Sequence, residues 1–299
     1  MVRRVTPSQF KSMVRQAEQK QRQAIQKYNS EVRKHNAEVK RQEQKRKDAI
    51  RKYNQEVRSY NNRLRTQQNR LQSELRKFAQ QANTTKYVSI RTSAGLVAQS
   101  FERLDRAIPG DDPRPFVNEL LDLSQQETAN SVGTFNALNG DASALDEDEF
   151  SSVEDSELAL FLASISDDTS DRWKGAVFAL NVQNPDAARH FCTSAREVIT
   201  QILDVRAPDN AVINSITDCD LHNGRPTRRS KLKYLLHQKG ADSSALEEFA
   251  DTDIEDVLTL FRTFNDGTHG SAGKFNISQL YSIRKRVEDA LIFLSKIAA

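Results

Sequence analysis

From Pro7 to about residue 80, apolar side chains recur at steps of three and four among Gln, Lys, Arg, Glu and Ala, and no glycine or proline stands between Pro7 and Gly95. That pattern predicts unbroken helix. At 1.5 Å per residue, a single helix of about 75 residues would reach about 110 Å. Its start is marked locally: Thr6 can cap, Pro7 suits the first helical position, and Gln9 stands three residues after Thr6 as in a capping box. A 25-residue repeat runs through the segment. QKQRQAIQKYNSEVRKHN from Gln19 aligns with QKRKDAIRKYNQEVRSYN from Gln44 at 11 of 18 positions. Twenty-five residues is close to seven turns, so both copies present the same face. The stripe comprises Ile25, Tyr28, Val32 and Val39, then Ile50, Tyr53, Val57, Tyr60, Leu64, Leu71, Leu75 and Phe78, with a stutter between Val39 and Ile50.

Beyond residue 83 the periodicity is again helical, and only Tyr87-Val-Ser-Ile-Arg91 has a strand-like look that could equally enter the next helix. Helices are expected over Ser93 to Ala107, Pro115 to Ala137, Leu158 to Ile165, Thr169 to Leu180, Pro185 to Val205, a short basic stretch after Gly224, Asp253 to Phe264 and Ile277 to Ala298. DTDIEDVLTLF supplies the acidic start of the penultimate one. The fold class is therefore all-α: a long N-terminal coiled-coil helix or helical hairpin, followed by a C-terminal helical bundle. Expected boundaries are a basic arm at 1–82, a helical middle segment at 83–140, an acidic linker at 141–157 and the bundle at 158–299.

Charge sharpens this division. The chain of 299 residues has a net charge of only +3, but residues 1–80 hold 22 Lys or Arg against 7 Asp or Glu, which leaves 22 basic and 34 acidic residues for the rest. Two modules with different partners follow. Three readings of the arm stay open: a coiled coil that oligomerises or folds back, a basic helix lying on nucleic-acid phosphates, and a docking rod for a partner protein. A spanning segment and a secretory signal are both lacking, which leads to the expectation of a cytoplasmic protein with no membrane partner. Cys192 and Cys219 have neither disulfide-framework nor CxxC spacing and are read as reduced thiols.

Most chemistry is excluded by missing patterns. There is no P-loop, GxGxxG, HExxH or CxxC pair, so no cofactor and no metal is expected; Asp218-Cys-Asp-Leu-His222 lacks a second cluster. What remains is LFRTFNDGTHGS, Leu260 to Ser271. Arg262 ends a helix and His269 follows with six residues between, while Asn-Asp-Gly breaks the helix so that the two side chains can converge. An always-charged guanidinium beside a titratable imidazole is the minimum for cutting RNA without metal, one holding the phosphate and the other moving a proton. The basic run Arg225, Arg228, Arg229, Lys231 and Lys233 would guide RNA by phosphate contact or form a solvated face. His190, His222 and His237 are assigned to structure, and Trp173 to the core.

This segment resembles the RX4-6H motif of the HEPN superfamily of helical ribonuclease domains. Upstream, ARHFCTSAREVITQILD from Ala188, followed by Ala207-Pro-Asp, resembles the long helix of the predicted pPIWI-associating nucleases found in bacterial defence loci. The likeness covers roughly residues 155–299. It implies a two-fold dimer whose protomers both supply Arg and His to one cleft, and metal-independent cleavage of RNA to a cyclic phosphate. Carried onto this chain, Arg262 stabilises the phosphate, His269 is acid or base, Asn265 and Asp266 are the polar residues inside the motif, and Glu197 or Arg196 orients Arg262. One departure is that Thr263 and Phe264 follow the arginine, where many members have a polar residue directly. The leading expectation is an antiphage or abortive-infection effector, a homodimer or higher oligomer acting on RNA, controlled by a phage-derived or host trigger sensed by the arm or by residues 83–140. The competing one is a non-catalytic coiled-coil scaffold or nucleic-acid-binding protein.

Overall fold

The structure, a computed structural model, describes residues 6–81, 87–108, 113–140, 156–265 and 275–298. By packing, the chain divides after Arg63 into two units. From Pro7 onward the first belongs to α1 (Pro7–Gln80), which runs unbroken, so the helical-hairpin alternative gives way to one continuous helix. Its start is the expected capping box: Gln9 N donates to Thr6 Oγ1 at 3.4 Å and Thr6 N donates to Gln9 Oε1 at 3.1 Å. The stripe Ile25, Tyr28, Val32, Val39, Ile50, Tyr53, Val57 and Tyr60 is exposed along this unit.

The second unit starts inside α1, earlier than the boundary expected at residue 82. Leu71 and Glu74 are buried, and the Phe78 ring meets Phe135 edge-on at 5.2 Å. Asn136 Nδ2 donates to the Glu74 carbonyl and carboxylate at 3.0 and 2.7 Å. The remaining helices are α2 (Val88–Ala107), α3 (Pro115–Leu138), α4 (Ser156–Ile165), α5 (Asp167–Ala179), α6 (Ala187–Arg206), α7 (Asp209–Ser215), α8 (Arg228–Gln238), α9 (Ser244–Asn265) and α10 (Ile277–Ala298). Residues 87–91 enter α2 and form no strand. The middle segment is no separate module, because α2 lies along α9 and α3 along α10 in one core with α6. Phe249 joins Phe101 and Phe293 edge-on at 6.4 and 6.0 Å, and buried Trp173 packs on Phe191 at 5.8 Å. Of the linker expected at 141–157, residues 141–155 lie outside the described residues, and Ser156 and Glu157 already belong to α4. No helix among the described residues is long and apolar enough to cross a membrane.

A charged cluster sits inside this core. Arg286 on α10 is 1% exposed. Its guanidinium donates to Glu127 on α3 at 2.7 Å and, on α9, to Asp253 at 2.6 Å and Asp256 at 3.0 Å. Ser93 on α2 and Ser131 on α3 also donate to Asp256, at 2.5 and 2.8 Å. Four helices thus meet on one guanidinium and its acids. Three carboxylates around one cation cannot all ionise cheaply without water. Burial, aided by the charge of Asp256 and opposed by Arg286, pushes the Asp253 carboxyl up to about 6 from 3.8. Burial likewise raises Glu127 well above its ordinary value, with Asp253 adding to the effect and Arg286 opposing it. The expected helix start at Asp253 is corrected by the same observation. α9 begins at Ser244, and of the acids of DTDIEDV, which resemble a cap, Asp253 and Asp256 are instead partners of Arg286 in mid-helix.

Two outcomes follow from this cluster. Arg286→Met is expected to lower the unfolding free energy by about 3–5 kcal/mol, because removing one partner strands the others; a urea titration showing less than about 1 kcal/mol would contradict the assignment. The second concerns pH. A carboxyl whose folded pKa is raised contributes stability that is full below its ordinary pKa and is lost as pH rises through the folded value. Wild-type stability measured relative to Asp253→Asn is therefore expected to fall between about pH 4 and pH 7, and a flat difference would contradict the raised value.

Candidate active site

α9 carries Arg262 one turn before its end. The end is held by rings: Phe264 meets Tyr87 edge-on at 6.4 Å and Phe275, just ahead of α10, at 5.1 Å. α10 then starts with its own capping box, Gln279 N donating to Asn276 Oδ1 at 2.9 Å and Asn276 N to Gln279 Oε1 at 3.1 Å. Asn265 closes α9, and Asp266 and His269 lie outside the described residues, as does the side chain of Asn265.

Arg262 faces an open cleft of about 360 Å³ shared with α6, α7 and α8. Arg196, Arg225, Arg228 and Lys231 line the same cleft, over an apolar floor that includes Ile199, Leu203 and Leu258. The connection before α8 explains how Arg225 and Arg228 arrive there. Leu221–His222 (β1) pairs antiparallel with Arg225–Pro226 (β2) around Asn223-Gly224, whose φ angles of 51° and 77° suit a tight hairpin turn that glycine and asparagine tolerate. Ser230 ties this hairpin to α8, its Oγ accepting from Asp220 N at 2.9 Å, while Thr227 caps the helix. Arg225 then stands 3.4 Å from Asp209, 80% exposed.

The basic run does not act as one surface. Lys231 is buried and donates to Asp204 at 2.6 Å and to Asp209 at 2.9 Å. Burial disfavours its charge, but the two acids more than offset this and raise its pKa, while its hydrogen bond lowers that of Asp209. It is a tie between helices, with its charge already neutralised. Arg228 is held by Asp251 at 2.9 Å and Glu255 at 2.7 Å. Arg229 is exposed and lines a different cleft with Arg103, Glu248 and Thr252, and Lys233 is not among the residues of the Arg262 cleft.

Glu197, expected beside Arg262, pairs instead with Arg172 on α5, which also donates to Asp168 at 2.7 Å. These residues clamp α5 to α6 in an adjoining cleft that shares only Arg196 and Thr200 with the first. The carboxylate that does hold Arg262 is Glu255, two turns earlier on the same helix, and Thr259 accepts from Arg262 at 2.9 Å as well. Sequence reasoning missed Glu255, although the seven-residue spacing on one helix face was the signal. The assigned histidines have structural neighbours or lie at the surface: His190 is beside Asn184 and Asp186, His237 beside Asp242, and His222 on the exposed β1. Cys192 is buried, which pushes its thiol pKa up, and Cys219 is also free.

The fold and the cleft together define a helical module with several guanidiniums converging on one open site, chemistry suited to phosphate anions. Residues 162–294 match the family model described as predicted pPIWI-associating nuclease, a span that contains the whole cleft and Arg262. No curated protein and no solved structure matches the chain.

Lys231 and Arg225 should separate structure from recognition. Lys231→Met is expected to cost about 1–3 kcal/mol, since it leaves Asp204 and Asp209 without their shared donor, whereas Arg225→Gln should leave the thermal midpoint unchanged. Equal midpoints for both variants would contradict the structural role of Lys231.

Proposed function

We propose that the protein is a metal-independent endoribonuclease of HEPN type, in which Arg262 and His269 form the reacting pair. The single observation that carries the reading is the position of Arg262 at the mouth of a guanidinium-lined cleft, within the span that matches a family of predicted nucleases. In the proposed reaction His269 takes the proton of a ribose 2′-OH and the 2′ oxygen attacks the adjacent phosphorus. The bond from phosphorus to the 5′ oxygen breaks, and that oxygen is protonated by an imidazolium, giving a 2′,3′-cyclic phosphate and a 5′-OH. Arg262 meets the charge that grows on the non-bridging oxygens. A two-fold dimer would bring a second Arg and His to the cleft and supply separate acid and base. The biological role we assign is that of an antiphage or abortive-infection effector whose activity waits for a trigger.

The competing reading, a scaffold that only binds nucleic acid, draws on the basic arm with its exposed stripe. The two part on His269. Purified protein incubated in EDTA with mixed tRNA and mRNA is expected to cleave, and Arg262→Ala and His269→Ala to lose about 10²-fold or more of that rate while keeping their circular dichroism. Cleavage that persists in both folded variants would overturn the proposal. If the wild type needs its trigger, the same variants should lose toxicity and phage protection in cells, and indifference there to both mutations would also refute catalysis.

A further inference from the structure

Glu255 is placed oddly for a helix-surface carboxylate. One of its oxygens accepts from Arg262 Nη2 and the other from Arg228 Nη1, the latter at 2.7 Å. It therefore lies between two guanidiniums from different helices and binds one with each oxygen. The side chain is 42% exposed, so it sits at the face of the cleft.

The contact between α8 and α9 does not depend on it. Arg228 is anchored separately, donating from Nη2 and Nε to Asp251 Oδ1 at 2.9 and 3.3 Å. Among the described residues Arg262 has only Glu255 and the Thr259 hydroxyl. Arg196, which lines the same cleft from α6, has no side-chain partner among the described residues. One arginine is thus fixed, one is held only by Glu255 and a neutral hydroxyl, and one is free.

Two oxygens of one anion held by two guanidiniums is also how arginines grip the non-bridging oxygens of a phosphate. We propose that the seat between Arg262 and Arg228 is a phosphodiester-binding site, and that Glu255 is its built-in occupant, a carboxylate that the incoming phosphate displaces. The identity of the ligand as RNA rests on the ribonuclease reading, whereas the anion seat itself does not. Burial works against the charge of Glu255, but the hydrogen bonds from Arg262 and Arg228 more than offset it and hold the pKa below the ordinary value, so the occupant is ionised at neutral pH. Arg228 keeps Asp251 when Glu255 leaves, and Arg262 is then free to follow the phosphate. In the resting protein Glu255 lowers affinity for the ligand that the cleft is built to hold.

The test uses the full chain and a probe with one phosphodiester, 2′-O-methyl uridylyl-uridine, which lacks the nucleophilic hydroxyl and carries too little charge to report on the basic arm. Binding is followed by ³¹P NMR titration. Glu255→Gln keeps the shape and removes the charge, and it is expected to bind the probe about fivefold more tightly than the wild type, the effect of deleting one like charge about 4 Å from the ligand in a wet site. Adding Arg262→Ala or Arg228→Ala should abolish that gain. Glu255→Asp, too short to bridge both arginines, provides a second variant should Glu255→Gln fold poorly, and it too should bind more tightly than wild type. Equal or weaker binding by a folded Glu255→Gln, with an unchanged melting midpoint, would overturn the seat. The outcome for the enzyme is separate. Tighter binding together with indifference to Arg262→Ala and His269→Ala, both in cleavage of unmodified RNA and in cells, keeps the anion site and refutes the ribonuclease, whereas cleavage without a gain in binding refutes the site and leaves the ribonuclease standing.

Discussion

One buried guanidinium sets the arrangement of the helical body. Arg286 is enclosed among apolar helices and must find acceptors there, and it takes them from α3 through Glu127 and from α9 through Asp253 and Asp256. Leaving any of these groups unmatched in a dry core costs more than a surface pair ever returns. The cluster accordingly fixes the rotation of α9 about its own axis, since Asp253 and Asp256 must point inward. Asn130 extends the polar seam, donating to Asp289 on α10 and accepting from Arg70 near the end of α1 at 2.5 Å.

That rotation decides what α9 shows on its other face. Glu255 lies between the two inward acids in sequence and points outward, and Arg262 follows two turns later on the same face. The outward face meets Arg228, delivered by the hairpin before α8, and lines one cleft with Arg196 on α6. The cleft is thus a consequence of the core: the side of α9 that is satisfied by Arg286 determines which side is left to hold guanidiniums. Its charges are largely matched in pairs, Lys231 with Asp204 and Asp209, and Arg228 with Asp251 and Glu255. On the proposal above, Arg196 and the seat between Arg262 and Arg228, once Glu255 is displaced, are where new charge can be received.

The features legible in the sequence are those fixed by local chemistry. The arm's helix, the Thr6 to Gln9 capping box and the order of helices follow from spacing and from the placement of Pro and Gly, none of which depends on distant residues. Arg262 was legible as a candidate because its neighbours form a motif. The charged core was not, because Glu127, Asp253, Asp256 and Arg286 are residue types that pattern reading assigns to the surface, and the acids of DTDIEDV mimic a helix start when α9 in fact begins at Ser244. The Asn223-Gly224 hairpin offered a signal that two-residue strands are too short to reinforce. Lys231 and Glu197 were misplaced for one reason: composition shows that a charge is present, and only packing shows whether another charge already answers it.

The most direct test of the account is where RNA touches the protein. Photocrosslinking with a 4-thiouridine strand carrying 2′-O-methyl riboses, read by mass spectrometry of the full chain, is expected to mark α6 around Arg196, the hairpin at Arg225 and the end of α9 near Arg262, whatever it marks elsewhere. Crosslinks confined to residues 7–63, with none on those three elements, would contradict the claim that this cleft receives the phosphate.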